Sequence, residues 1–367
     1  MSGPSDDASD DSDASDDSDA SDEEFDAISA VIAREFPTRP VTDRSSVATG
    51  NRKRTVVVRF GDGSDPPAVV VQTGPNERAL ATEATLTRAI AARTDLPVAQ
   101  ALAGGPLSSI DETSETSGGY LVTERQSGTD LHEQFATLDA SSQQTLAQTF
   151  GRALACLHEA FRFDAYGSVG VERDGAVDWH RLLTDSDPGS MLAVEAVDHV
   201  VVTTDWPTWV QSYASAGVDR LPPAFDDLRP RLRTMVDAGV ASLPSSPVST
   251  LYPWDLRPGN ALAEGETVTA LLDWGEPLAA APGLGVAKVE HLVCDWYVTD
   301  AGPLRRAFRA GYADVRPLPP VPDVYRLAAV VASAVDGEGV VTRPRYPERT
   351  GEAAVAFHRE RLAAILD

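Results

Sequence analysis

The side-chain periodicity of this chain changes character once, near residue 129, and that change limits the architectures open to it. Before it come short β-branched runs, RTVVVRF at 54–60 and PAVVVQT at 67–73, joined by the turn-forming GDGSDP. Residues 76–93 read as a helix, 98–103 as a strand, SSIDETSETSGG as a polar loop and YLVTE at 120–124 as a further strand. Ahead of them, FDAISAVIAREF (25–36) puts Phe25, Ile28, Val31, Ile32 and Phe36 on one helical stripe. Beyond the change the period is helical, chiefly at 141–160, 206–216 and 226–243. A β-rich first third followed by a mainly helical remainder predicts an α+β fold. At 367 residues the chain is too long for one ordinary core and suits two lobes. The expected division is a tail at 1–24, a small β-rich lobe at 25–124 and a larger, mainly helical lobe at 125–367.

Residues 1–24 repeat a DSDASDD-like unit with eleven acidic and no basic side chains, the composition of a disordered, solubilising tail. The formal net charge is −25, and the rest of the chain still holds 45 acidic against 31 basic side chains, a net −14. A field of that sign repels phosphate backbones, which makes nucleic acid a poor partner, and none is expected. Only Lys53 and Lys288 are lysines. This acid-rich, lysine-poor composition resembles that of cytoplasmic proteins from salt-accumulating, haloarchaeal-type organisms, in which concentrated salt screens the self-repulsion. The start lacks the basic and apolar regions of a secretory signal, and no run approaches the ~20 apolar residues of a membrane span. The expectation is therefore a cytoplasmic protein with no membrane partner. Cys156 and Cys294 are too few for a disulfide framework or a zinc site and are expected to be buried thiols.

The chemistry concentrates in TLYPWDLRPGNALAEGETVTALLDWGEP, residues 250–277. Asp255 and Asn260 stand five apart across a Pro-Gly turn, and Asp273 follows in Asp-Trp-Gly after VTALL, which reads as a strand. One carboxylate there can orient a hydroxyl proton, while an amide oxygen and a second carboxylate give hard ligands suited to Mg²⁺. D-x-x-x-x-N followed by D-x-G is the arrangement of kinase active sites. Over roughly residues 25–310 the chain resembles the aminoglycoside phosphotransferase and choline kinase-like family, whose loop reads H-G-D-x-x-P-x-N and whose metal motif is D-W or D-F. Asp255, Pro258, Asn260, Asp273 and Trp274 match in place. The resemblance implies a bilobal protein-kinase-like fold and Mg²⁺-dependent transfer of the terminal phosphoryl group of ATP or GTP to a small-molecule hydroxyl. It implies Asp255 as catalytic base and Asn260 and Asp273 as metal ligands.

The same resemblance assigns further positions. Glu83 falls where the family has a helix-borne glutamate that pairs with a phosphate-binding lysine. SSVATGN (45–51), with Gly50 and Asn51, falls where a turn covers the triphosphate. TERQSG (123–128) is the expected linker between lobes, with Glu124 and Gln126 beside the nucleotide base. ALACLHEAF (153–161) resembles a buried family helix ending in Leu-His, which makes His158 structural, and the helical spacing of Trp206, Trp209 and Tyr213 reads as packing.

Three departures accompany these matches. Gln72 occupies the position of the phosphate-contacting lysine, and Lys53, Arg54 or Arg59 would have to substitute for it. Pro253 and Trp254 replace the loop His-Gly, and AAAPGLGVAKVEH replaces Gly-Asp-Pro, with Lys288 and Glu290 as candidates for its role. Two functions follow. One is an active kinase whose acidic surface favours a neutral or cationic acceptor, such as an amino alcohol or aminoglycoside-like sugar. The other is a pseudokinase-like nucleotide-binding module, which Gln72 favours. A metal- or triad-based hydrolase lacks its signature, because the six histidines (132, 158, 180, 199, 291, 358) form no close cluster in sequence.

Overall fold

The computed structural model describes residues 27–47, 53–110, 117–173, 175–196, 201–336, 339–344 and 349–367. The acidic tail, Phe25, Gly50 and Asn51 lie outside the described residues.

A five-stranded antiparallel sheet forms the first third, in the order β1-β2-β3-β5-β4. Its strands are β1 (Val41–Val47), β2 (Arg54–Phe60), β3 (Ala68–Gly74), β4 (Ala101–Pro106) and β5 (Gly119–Glu124). The two β-branched runs pair as read, Val56 opposite Val71 and Val58 opposite Val69. Helix α1 (27–35) places Ile28, Val31 and Ile32 against Val56, Val58, Val69, Val71 and Val122. The other face carries α2 (Glu77–Arg93), whose Asn76 cap accepts from the Ala79 N–H at 3.0 Å.

Two expectations are corrected here. Residues 45–47 do not belong to a phosphate turn: Ser45, Ser46 and Val47 pair with Val57, Val56 and Thr55 as an edge strand. The strand expected at 98–103 lies three residues later, and Val98 instead bridges in parallel to Leu271 across the two halves of the molecule.

The remainder is mainly helical. Helices α3 (Leu131–Gln134), α4 (Ala140–Ala160), α5 (Trp179–Thr184), α6 (Trp206–Arg220), α7 (Arg229–Val240), α8 (Pro282–Cys294), α9 (Ala301–Ala313), α10 (Asp323–Ala334) and α11 (Glu352–Leu366) surround two small sheets. With β6 (Thr129–Asp130), β7 (Arg162–Phe163), β8 (Gly167–Val171), β9 (Leu192–Glu195), β10 (Ser249–Tyr252), β11 (Ala261–Glu264), β12 (Thr267–Leu271) and β13 (Leu278–Ala280), one sheet runs β7-β10-β13-β8-β9 and the other β12-β11-β6. Three strands position the site: β10, β11 and β12. Helix α8 is buried on every side from Gly283 to Cys294, so the segment that departs from Gly-Asp-Pro is core. Helices α4 and α9 meet through glycine: a Cβ on Gly151 would stand 2.0 Å from the Phe308 carbonyl oxygen, and one on Gly311 2.0 Å from that of Gln148. Trp206, Trp209 and Tyr213 are packing residues, stacked with ring centroids 5.1 and 4.8 Å apart. His158 is fully buried against the Tyr312 hydroxyl at 2.8 Å, and burial pushes its pKa down to about 3. Cys294 is buried and Cys156 partly so.

Candidate active site

Strand β10 delivers the loop 253–260, and a short 3-10 turn at Pro258–Asn260 leads it into β11. The Asn260 amide closes that loop, its Nδ2 donating to the Asp255 carbonyl at 2.9 Å and to Asp255 Oδ2 at 3.0 Å. The side chains that the sequence spaces five apart thus meet, and this hydrogen bond leaves Oδ1 as the free end of the amide. Arg257 Nε donates to Asp255 Oδ1 at 2.7 Å. Burial works to raise the Asp255 pKa, but the Arg257 guanidinium, with Lys288 and Asn260, holds it below the usual carboxylate value. Arg257 is in turn held by the Tyr297 hydroxyl, which accepts from Arg257 Nη1 at 3.3 Å and from the Gly259 N–H at 3.0 Å.

The hairpin β11–β12 carries the second half. The Leu272 N–H donates to the Asn260 carbonyl at 2.8 Å, which ties the turn bearing Asp273 to the loop bearing Asp255. Asp273 sits at φ 57°, a left-handed conformation that a non-glycine residue adopts at a cost of about 1–3 kcal/mol unless its surroundings compel it. The anchor is Trp274, buried below, whose Nε1 donates to the Leu271 carbonyl at 3.1 Å.

Lys53 enters from the other lobe. Immediately before β2, its Nζ lies 2.6 Å from Glu83 Oε2 on α2 and 3.0 Å from Asp273 Oδ1. Burial would lower the Lys53 pKa, but the two carboxylates overcome it and raise it well above the ordinary lysine value. The ammonium missing at Gln72 is therefore supplied from the head of the neighbouring strand. Gln72 itself faces Thr55 and Leu121 across the sheet, with its side-chain amide beside the Glu83 carboxylate. Both Glu83 and Gln72 thus belong to one cluster with Asp273.

The remaining predicted positions lie apart from that cluster. Glu124 ends β5, its N–H bonded to the Gln100 carbonyl at 2.9 Å, and Gln126 is half-buried in the linker that follows. The linker is fixed to the β12 strand where Thr269 Oγ1 donates to the Ser127 carbonyl at 2.6 Å.

A family model described as the phosphotransferase enzyme family matches residues 43–321. The chain belongs to that family. Among solved structures, a thermostable mutant of aminoglycoside phosphotransferase APH(4)-Ia in ternary complex with ADP and hygromycin B is similar at a TM-score of 0.61 and 15% identity, covering 93% of this chain and 98% of that one. The macrolide 2'-phosphotransferase MphH from Brachybacterium faecium is similar at a TM-score of 0.50 and 19% identity, again covering 93% and 98%. At those identities the likeness concerns the fold, and it is the bilobal kinase-like one. No curated protein sequence matches the chain significantly. Among the described residues, no helix is long and apolar enough to cross a membrane.

Within this phosphotransferase, the two catalytic-half departures take definite places. Glu290 is buried and receives Arg309 at 2.6 and 2.9 Å and Arg326 at 3.3 Å, so it joins α8 to α9 and α10. Lys288 sits 4.6 Å from the centroid of the Trp254 ring. Among the described residues no group of three His, Cys, Asp or Glu side chains could hold a metal by itself. One carboxylate and one amide oxygen are the donor set of a cation completed by phosphate oxygens and water, which fits Mg²⁺ rather than a resident zinc.

Sequence reasoning passed over Arg257 and Tyr297. Arg257 carries a local signal, standing two residues after Asp255 in the loop. Tyr297 carries none, since its hydroxyl reaches the loop from 38 residues beyond Gly259.

Proposed function

We propose that this phosphotransferase moves the terminal phosphoryl group of ATP or GTP to a hydroxyl of a small molecule, with Asp255 as base and Asn260 and Asp273 as ligands of Mg²⁺. The observation that carries the reading is the Lys53–Glu83–Asp273 cluster, because it brings an ammonium from the strand-rich lobe to the carboxylate proposed to hold the metal. The cluster also supplies the ammonium whose absence at Gln72 favoured the pseudokinase alternative. Of the similar structures, one is a ternary complex with ADP and hygromycin B and the other a macrolide 2'-phosphotransferase, and we carry over the class: a nucleotide as donor and a small molecule as acceptor.

In this reading residues 25–124 form the lobe that holds the nucleotide and 125–367 the lobe that holds the acceptor. Lys53 gives the donor phosphates a charge-assisted contact, and Glu83 keeps its ammonium in place. The base edge of the nucleotide meets the linker at Glu124 and Gln126. Mg²⁺, when bound by Asp273 and Asn260 Oδ1, neutralises charge on the phosphates. Asp255, kept ionised by Arg257, orients the acceptor hydroxyl and takes its proton as the new O–P bond forms and the bond to the leaving nucleoside diphosphate breaks. A carboxylate of low basicity suits this role, because in a loose phosphoryl transfer the proton leaves late.

The test is calorimetric titration of ATP and GTP with Mg²⁺ in concentrated KCl, paired with nucleotide consumption over a panel of amino alcohols and amino sugars. Metal-dependent binding that disappears in Asp273→Ala, and turnover that disappears in Asp255→Ala, are expected. Binding indifferent to Asp273 would contradict the metal assignment.

A further inference from the structure

Two departures from the family pattern, distant in sequence, touch in space. Trp254 stands where the family loop has glycine, and Lys288 belongs to the segment that replaces Gly-Asp-Pro. The Lys288 ammonium lies 4.6 Å from the Trp254 ring centroid. On its other side Nζ donates to Ser333 Oγ on α10 at 2.7 Å, and Ser333 is itself fixed by donating to the Ala329 carbonyl at 2.7 Å. Lys288 is only 2% exposed, and none of the ion pairs of the described residues includes it.

A buried ammonium without a bonded carboxylate costs the fold free energy, so stability does not explain this lysine. Burial drives its pKa down to about 7, against the pull of the nearby Asp255 carboxylate. Arg257 from the same loop and Arg220 at the end of α6 push the same way as burial. His291 on its own helix and His358 on α11 also feel its charge.

We propose that Lys288 is a positioning residue. Held between Trp254 and Ser333, its ammonium fixes the 253–255 segment so that Asp255 keeps its working orientation. Loss of its proton frees the loop. The inference rests on the phosphotransferase reading for its meaning, while the contact itself is independent of turnover.

Stability and activity then pull in opposite directions. The folded pKa of about 7 lies below the 10.5 of a free lysine, so the unfolded chain binds more protons between those values. Folding stability gains from Lys288 as pH rises through that window, and at neutral pH the buried lysine is a cost. Lys288→Met should therefore raise Tm while lowering kcat by roughly tenfold, the scale of a misplaced reacting group. A purely structural lysine would lower Tm when removed.

The deciding experiment follows the Arg257 Nε–H by nitrogen-15 NMR from about pH 5.5 to 8.5 in concentrated KCl, because that group donates to Asp255 Oδ1 and reports the loop without any turnover. We expect a titration near pH 7 in the native chain, absent in Lys288→Met and Lys288→Arg, and shifted to lower pH in Trp254→Leu. In parallel kcat should fall as pH rises through 7 with KM for nucleotide little changed, and Lys288→Arg should remove that alkaline limb. An Arg257 signal that is invariant with pH in the native chain, or a Lys288→Met variant with lower Tm and unchanged kcat, would overturn the proposal. A titrating Arg257 signal in a chain that transfers no phosphate would support the clamp and count against the kinase reading.

Discussion

At the scale of single residues, the site is three carboxylates held by two cations. Asp255 takes Arg257, and Asp273 and Glu83 share Lys53. The division matters for the proposed reaction, in which Asp255 stays charged and placed while Asp273 exchanges Lys53 for the metal. Asp255→Asn should lower kcat by about 10²–10⁴-fold, the range for a positioned acid–base group, and leave the nucleotide Kd within a few-fold of native; steady-state kinetics beside calorimetry separate the two. Asp255, Asn260 and Asp273 were legible in the sequence because one short hairpin carries them all. Lys53 was legible only as one of three substitutes, because its partner Asp273 lies 220 residues away and no local spacing relates them. Tyr297 was not legible at all, being one more buried aromatic until its hydroxyl is seen under Gly259.

Among elements, the legible ones are those whose apolar pattern serves one clear face. β2 and β3 alternate or run β-branched over the N-lobe core, and α2 and α4 begin at sequence-visible caps, Asn76 and Asp139. β1 escaped because it is an edge strand with mostly exposed side chains; of the small C-lobe strands β12 was read from VTALL, and the others escaped because they are two to five residues long. The α4–α9 contact makes its own demand. Since an added Cβ at Gly311 would sit 2.0 Å from a backbone oxygen, Gly311→Ala must part the helices, and denaturant unfolding should show a loss of about 1–3 kcal/mol. Glu290→Ala strips α8 of its bonds to Arg309 and Arg326, whose side chains keep 40% and 33% of their surface in water. Those arginines can rehydrate, so the expected loss is about 2 kcal/mol, below the range for a wholly buried pair.

For the whole molecule, charge and lobe contact govern behaviour together. A net charge of −25 destabilises the compact state until counter-ions screen it, so Tm should climb steadily from about 0.1 M to molar KCl, where the Debye length falls to about 3 Å. A flat response would remove the link between this composition and salt. The two lobes are joined at the site by Lys53, which leaves the head of β2, meets Glu83 on α2 and reaches Asp273 on the far hairpin. In the proposed function this lysine does the work that Gln72 cannot. The most direct measurement is kcat/KM for Mg²⁺-nucleotide in Lys53→Met, Gln72→Lys and the double variant. A drop of about 10²-fold or more in Lys53→Met, with partial recovery when Gln72→Lys is added, is the result predicted. Full activity in Lys53→Met would contradict it, since the phosphates would then be held by some other group.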